Sequence, residues 1–242
     1  MIRQLPLPFQ HTPQFDRLAF LSAPSNAEAR AWLDRPGEWP QRRLAIWGAA
    51  GSGKTHLLHR WARSGGATLL SGADLTSLSP PEGPLAIDDA DLAGERPLLH
   101  LLNAAAEAGF AAVLASRTPP ARWAVALPDL ASRLRASLAV ELRPAEDELL
   151  RGLLALLFAD RQLPVAEAVQ EHLLRTLPRT PAALREAAAR LDRMALAAGG
   201  RITRAMAAEV STNLADDDVA VAIDEDSTWP AAAGSHGAPG FL

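Results

Sequence analysis

The chain contains no cysteine, which excludes disulfides and every metal site built on thiolates. It has no apolar run long enough to cross a bilayer, so no membrane partner is expected. Met1–Phe9 lacks the long apolar region and small-residue cleavage site of a signal peptide, and the expected location is the cytoplasm. Lysine is scarce beside arginine, alanine and leucine, which says nothing about function. A strong positive balance is also missing. The 24 Lys and Arg face 28 Asp and Glu, for a formal net charge of −4. Six of the acids (Asp216, Asp217, Asp218, Asp224, Glu225 and Asp226) lie in residues 211–242, which carry no Lys or Arg. The rest of the chain is therefore nearly neutral and advertises no large basic surface for nucleic acid. Contact with DNA is expected only indirectly. With 242 residues and 48% hydrophobic content, there is material for a sizeable core in one or two domains.

What is present is a phosphate-binding signature. Gly48, Ala49, Ala50, Gly51, Ser52, Gly53, Lys54 and Thr55 match G-x-x-x-x-G-K-[ST] in full. Glycines let the backbone curl so that successive N–H groups converge on phosphate oxygens. Lys54 would reach the β- and γ-phosphates, and the Thr55 hydroxyl would hold Mg²⁺. The context fits the motif. Leu44–Trp47 reads as a buried strand ahead of the loop, and Thr55–Ala62 as an amphipathic helix after it. The positive end of that helix would also face the anion. A glycine turn between strand and helix is the plain alternative.

A second motif is Pro84–Asp91, an apolar strand that delivers acids to its C-terminal end. Asp88 would bind Mg²⁺, directly or through water. Asp89 would orient or deprotonate an attacking water, and Asp91 reads as a turn residue. Alone this is a common strand ending; beside a phosphate loop it reads as a Walker B strand. A third element, Val113–Pro120, ends another strand with a polar residue. In ATPases of this layout that residue sits between the two loops and senses the γ-phosphate. Ser116 is the candidate and Arg117 the second choice.

Pro6, Pro8 and Pro13 predict an extended arm over residues 1–13. Ser25 and Asn26 read as the cap of a short helix that runs to about Asp34. Strands are expected at 43–47, 67–70, 84–87, 111–115 and 138–142. Helices are expected at 55–63, 97–108 and 128–136, with Gly109 ending the second. Short apolar strands alternating with helices imply a parallel sheet covered on both faces. After Arg143-Pro144 the pattern becomes four helices, at 145–159, 166–177, 181–197 and 203–213. The expected organisation is an α/β nucleotide domain over 14–143 and a small all-α lid over 144–213. Residues 214–242, acidic and rich in Gly and Pro toward the end, read as a disordered tail.

Taken together, these residues resemble the AAA+ ATPases of the bacterial replication initiator DnaA family, over roughly residues 14–213. The run Gly53–Leu58 is similar to that family's form of the loop, which adds His56 to the nucleotide contacts. Phe15-Asp16 followed by Ser25-Asn26 resembles the lead-in that packs near adenine. Ile87–Asp89 is similar to the family's Walker B, with Asp89 where many relatives have Glu. Leu127–Leu134 resembles the segment that presents an arginine at the subunit edge. By that resemblance Arg133 is an arginine finger acting in trans, with Arg135 the next candidate.

Two features point to one branch of the family. The initiator's basic DNA-binding domain is not expected here, since the end of the sequence is acidic. The arm Gln4, Leu5, Pro6, Leu7, Pro8, Phe9 is similar to a sliding-clamp-binding peptide. Its three apolar side chains would enter pockets while the Gln4 amide bonds at the rim, and its prolines lower the entropic cost of ordering. The resemblance implies a negative regulator of replication initiation that binds ADP or ATP with Mg²⁺. Its partners would be DnaA and the β sliding clamp of DNA polymerase III, at the replisome. Homo-oligomerisation is left open, and the chain's own ATPase activity is expected to be weak.

The sequence departs from the family at the second sensor. Relatives place an arginine near the start of the third lid helix, aimed at the β- and γ-phosphates. Here Ala182 takes that position, and Arg179 and Arg185 are the substitutes. Poor discrimination between ATP and ADP is the expected consequence. Arg117 is a further departure, standing where many relatives have an acid.

Overall fold

The computed structural model describes residues 21–76 and 79–214. The arm with Gln4–Phe9, the Phe15-Asp16 lead-in and the acidic tail lie outside the described residues.

Five strands form a single sheet: β1 Arg43–Trp47, β2 Thr68–Ser71, β3 Leu85–Asp88, β4 Ala112–Ser116 and β5 Leu138–Glu141. Their order is β2-β3-β4-β1-β5, and every pairing is parallel. Each strand falls within about a residue of its expected place. The apolar composition explains the order. β1 and β4 are buried along almost their whole length, as are the first three residues of β3, and these three strands fill the centre. β2 and β5 are largely exposed and take the edges. A strand apolar on both faces is stable only where both faces are covered.

The covering helices are α1 Pro24–Leu33, α2 Lys54–Gly65, α3 Glu95–Glu107 and α4 Pro128–Arg135. Alternation along the strands divides the core in two. Leu44, Ile46 and Val113 pack with Ala29 and Leu33 of α1 and Leu57, Leu58 and Trp61 of α2. Ala45, Ile87 and Leu114 pack on the other face with Leu98 and Leu102 of α3 and Leu130 and Leu134 of α4. Each fully buried Leu or Ile contributes about 1.5–3 kcal/mol. Gly109, just past α3, has φ +73, the left-handed conformation expected of a helix-ending glycine.

One expectation is corrected. Ser25 and Asn26 do not cap α1. Ala23 is the cap residue and Pro24 the first helical residue, a position that suits proline because its missing N–H would have no partner there. Asn26 reaches back from the first turn, and its Oδ1 accepts from Ala23 N at 3.3 Å. Its Nδ2 donates to Leu21 O at 3.0 Å. Ser25 is used differently, as described below.

After β5 the chain is helical: α5 Asp147–Asp160, α6 Glu167–Thr176, α7 Pro181–Ala198 and residues 204–214. These share a separate core that includes Leu154, Phe158, Leu173, Leu191 and Val210. Thr180 caps α7, its side chain accepting from Ala183 N at 3.2 Å. A five-stranded parallel sheet with a following helical region is the expected architecture. Because all strands run one way, their C-terminal ends share an edge. β1 lies between β4 and β5 there, at the reversal of strand order where ligands of open α/β sheets bind.

Candidate functional site

Gly48–Gly53 leave the end of β1 and turn into α2. Gly51 and Gly53 adopt left-handed backbone, with φ +72 and +106, which only glycine takes without strain. The loop is held from two sides. A Cβ on Gly48 would sit 2.5 Å from Leu142 O, and one on Gly51 would sit 3.2 Å from Ala182 Cβ and from Thr180 Cβ and Oγ1. Thus the start of α7 rests on the tip of the loop. Ala49 and Ala50 are exposed, as is Thr55 in the first turn of α2.

Lys54 is the first residue of α2 and the only lysine in the chain. Its side chain is buried, and Nζ donates to Gly48 O at 2.8 Å and Ala49 O at 2.9 Å. Burial lowers its pKa. The carboxylates of Asp88, Asp89 and Asp91 oppose that shift, and Arg117 adds to it. These five charges therefore share one neighbourhood, assembled from the ends of β1, β3 and β4.

Asp88 closes β3, and its Oδ1 accepts from Asp89 N at 3.1 Å. Asp89 is exposed, with φ +45. Gly72, following β2, donates its N–H to Asp88 O at 2.7 Å and leaves no room for a side chain beside Asp89 O. Ser116 ends β4 opposite Trp47. It is fully buried, its Oγ donates to Thr118 O at 2.8 Å, and its carbonyl accepts from Gly48 N at 3.2 Å. Asp91 accepts from Arg117 N at 3.1 Å. The Thr55 hydroxyl and the Asp88 carboxylate are hard oxygen donors of the kind Mg²⁺ prefers, and a magnesium site completed by phosphates and water needs few protein ligands. Among the described residues no group of three or more His, Cys, Asp or Glu could hold a metal ion by itself.

A cavity opens on the other side of the loop. Its walls include Leu21, Asn26, His56, Leu142, Leu149 and Arg185. His56 is buried; burial first, then the positive charge of Arg185 and Arg60, pushes its pKa down to about 4. The ring is therefore neutral at physiological pH. Ser52 Oγ and Arg185 Nε are buried without a hydrogen-bond partner among the described residues, as suits a site that takes a polar ligand. The structure separates the two substitute sensors. Arg185 lines this cavity, while Arg179 pairs with Asp147 and lines a second cleft on the lid with Arg151 and Arg175.

The lid is fastened to the body next to this cavity. Ser25 N and Oγ donate to Glu146 Oε1 and Oε2 at 2.6 and 2.8 Å. Desolvation pushes the Glu146 carboxyl up, but hydrogen bonds from its own backbone and Ser25, helped by Arg143, take it below its ordinary value. The Ser25 carbonyl accepts from Arg143 N at 3.2 Å. Sequence reasoning missed Glu146. Its sole signal was an acid just ahead of a helix, with nothing to name Ser25 as the distant partner.

Arg133 is elsewhere. It lies in the last turn of α4, with Nε 3.3 Å from Asp129 Oδ1. Its charge acts on Arg43, at the N-terminal end of β1, whose pKa is lowered first by burial and then by Arg133. Arg133 is therefore at the edge of the sheet opposite the loop, a strand's length of roughly 15 Å away. Arg135 is exposed at the end of the same helix.

Sheet order, glycine loop, carboxylates at the end of β3 and helical lid define the P-loop fold of AAA+ proteins. Among solved structures the chain is similar to domain III of the Thermotoga maritima replication initiation protein DnaA. That match has 20% identity, covers 84% of this chain and 97% of that one, and has a TM-score of 0.69. AMPPCP-bound DnaA from Aquifex aeolicus is similar at 19% identity, covering 66% and 59% of the two chains, with a TM-score of 0.51. A Thermotoga maritima RuvB variant matches at 18% identity over 81% and 70%, with a TM-score of 0.61. These are likenesses of fold. No protein-family model and no curated protein matches the sequence.

Proposed function

We propose that this chain is a nucleotide-binding adaptor of the AAA+ fold that regulates replication initiation, a regulatory inactivator of DnaA of the Hda type. It binds ADP or ATP, with Gly48–Thr55 around the phosphates and Thr55 and Asp88 toward Mg²⁺, which neutralises phosphate charge when bound. Gln4–Phe9 dock on the sliding clamp of DNA polymerase III, and Arg133 completes the ATP site of a neighbouring DnaA molecule.

The observation that carries this reading is the position of Arg133. An arginine at the sheet edge opposite its own phosphate loop is too far away to serve that loop, and it suits a finger offered to a neighbour. There it would stabilise the charge of the transferring phosphoryl group. The likeness in fold to DnaA supports the choice of neighbour. A short clamp peptide binds weakly, at about micromolar affinity, so co-localisation on the clamp would strengthen an equally weak contact with DnaA.

The test is hydrolysis of DnaA-bound ATP with the clamp loaded on DNA, with and without this protein. Clamp-dependent stimulation is expected, lost in Arg133→Ala and after deletion of residues 1–9. Clamp binding without stimulation would refute the role of Arg133. Substantial ATP turnover by the isolated protein, lost in Asp89→Ala, would instead favour an autonomous DnaA-like ATPase.

A further inference from the structure

We infer that Arg185 holds the nucleoside end of the bound nucleotide, not its terminal phosphate, so that the site grips ADP and ATP alike. This rests on the nucleotide reading of the loop and extends it to a residue of α7.

The geometry of α7 separates two positions. Thr180 and Ala182 lie against Gly51 at the tip of the loop, so the start of α7 lays a methyl group there beside the Thr180 hydroxyl, which accepts from Ala183 N, and no cationic side chain. Arg185 is one turn further along, roughly 4.5 Å down the helix axis, and it lines the cavity that runs from Ser52 and Gly53 of the loop to Asn26, His56 and Leu142. The charges that converge on the phosphate side (Asp88, Asp89, Asp91 and Arg117) act on Lys54. None of them acts on Arg185, whose pKa is lowered by burial alone. Among the described residues no carboxylate is found to raise it again. Arg185 is half-buried, but its Nε is buried and needs an acceptor, and among the described residues it has none.

The remaining walls say what supplies them. Leu21, Leu142, Leu149 and Leu153 are apolar and suit the faces of a flat heterocycle. A purine offers ring nitrogens in its plane as acceptors, and guanidinium planes stack well on aromatic faces. His56, neutral beside Arg185, gives a second flat surface without repelling the first. Arg185 therefore reads a part common to diphosphate and triphosphate.

Equilibrium binding of ADP, ATP and inorganic tripolyphosphate to the full chain tests this, comparing wild type with Arg185→Ala and Arg185→Met. The methionine variant keeps an apolar stem in the cavity and guards against a fold lost through truncation; thermal unfolding checks both. The wild type should bind ADP and ATP within about twofold of each other. Either variant should weaken both by the same factor, roughly 10- to 100-fold for a lost charge-assisted hydrogen bond, with tripolyphosphate unchanged. A loss confined to ATP, or an equal loss for tripolyphosphate, would place Arg185 on the phosphates and overturn the inference. Failure of all three ligands to bind the wild type would instead remove the nucleotide reading beneath it.

Discussion

Replacing the loop glycines by alanine one at a time separates three physical reasons for glycine. Gly53 has φ +106, and nothing lies within 4 Å of an added Cβ. Gly53→Ala therefore costs backbone strain alone, about 1–2 kcal/mol. Gly51, at φ +72, bears the same strain, and its new methyl would meet Ala182 and Thr180 at 3.2 Å. Those side chains must shift by a few tenths of an ångström, which brings the cost to about 2–3 kcal/mol. Gly48→Ala places the methyl 2.5 Å from a backbone oxygen, that of Leu142. A carbonyl cannot rotate aside as a side chain does. The Leu142 peptide is also tied to the end of β1 through Leu142 N to Trp47 O at 2.7 Å. The cost should exceed 3 kcal/mol, beyond the ordinary range for overpacking. Urea unfolding without nucleotide reads the series. At a slope of roughly 2–3 kcal/mol/M, the midpoints should fall by about 0.5, 1 and more than 1 M, in the order Gly53, Gly51, Gly48. Ala182→Gly, combined with Gly51→Ala, should recover only the contact part. A Gly53 variant as unstable as the Gly48 variant would refute the argument, since strain would then outweigh contact.

Two further perturbations concern charge. His56 has a folded pKa of about 4 against 6.5 for the free side chain, so the unfolded chain takes up a proton first. Its contribution is complete above pH 6.5 and is lost as pH falls toward 4, on the order of 3 kcal/mol in all. His56→Gln should remove that part of the stability–pH curve, and a superimposable curve would refute the assignment. Glu146 has a folded pKa below its ordinary value, so its contribution holds above the usual carboxylate range and is lost as pH falls below it. Glu146→Gln should lower Tm at neutral pH by roughly 2–4 °C, and the gap between variant and wild type should narrow as pH falls below the usual carboxylate range. An unchanged neutral Tm would show that the clasp to Ser25 adds nothing.

The sheet was legible because its information is local. Leu44–Trp47 and Val113–Ser116 are apolar and bounded by turn residues, and runs so short suit a strand buried on both faces better than a buried helix. The glycine turn between β1 and α2 was legible for the same reason, since its spacing fixes its geometry. The start of α1 was misread because Ser25 and Asn26 are good capping residues by composition. The choice was made by Pro24, which fits the first helical position, and by Glu146, which draws Ser25 away from capping. Arg179 and Arg185 were equal as substitutes in sequence. Only the docking of α7 on Gly51 sends one into the cavity and leaves the other on the lid surface with Asp147. Such distinctions depend on how elements dock, which no local window contains.

Lys54 has a practical side as well. Because no other lysine exists in the chain, amine-directed chemistry meets a single side-chain target, and that target is packed inside the phosphate loop. Acylating reagents become a gauge of whether the loop is open, and a ligand that covered the ammonium would slow the reaction. The same fact cautions the bench worker: a dye or resin coupled through lysine is coupled through the site itself.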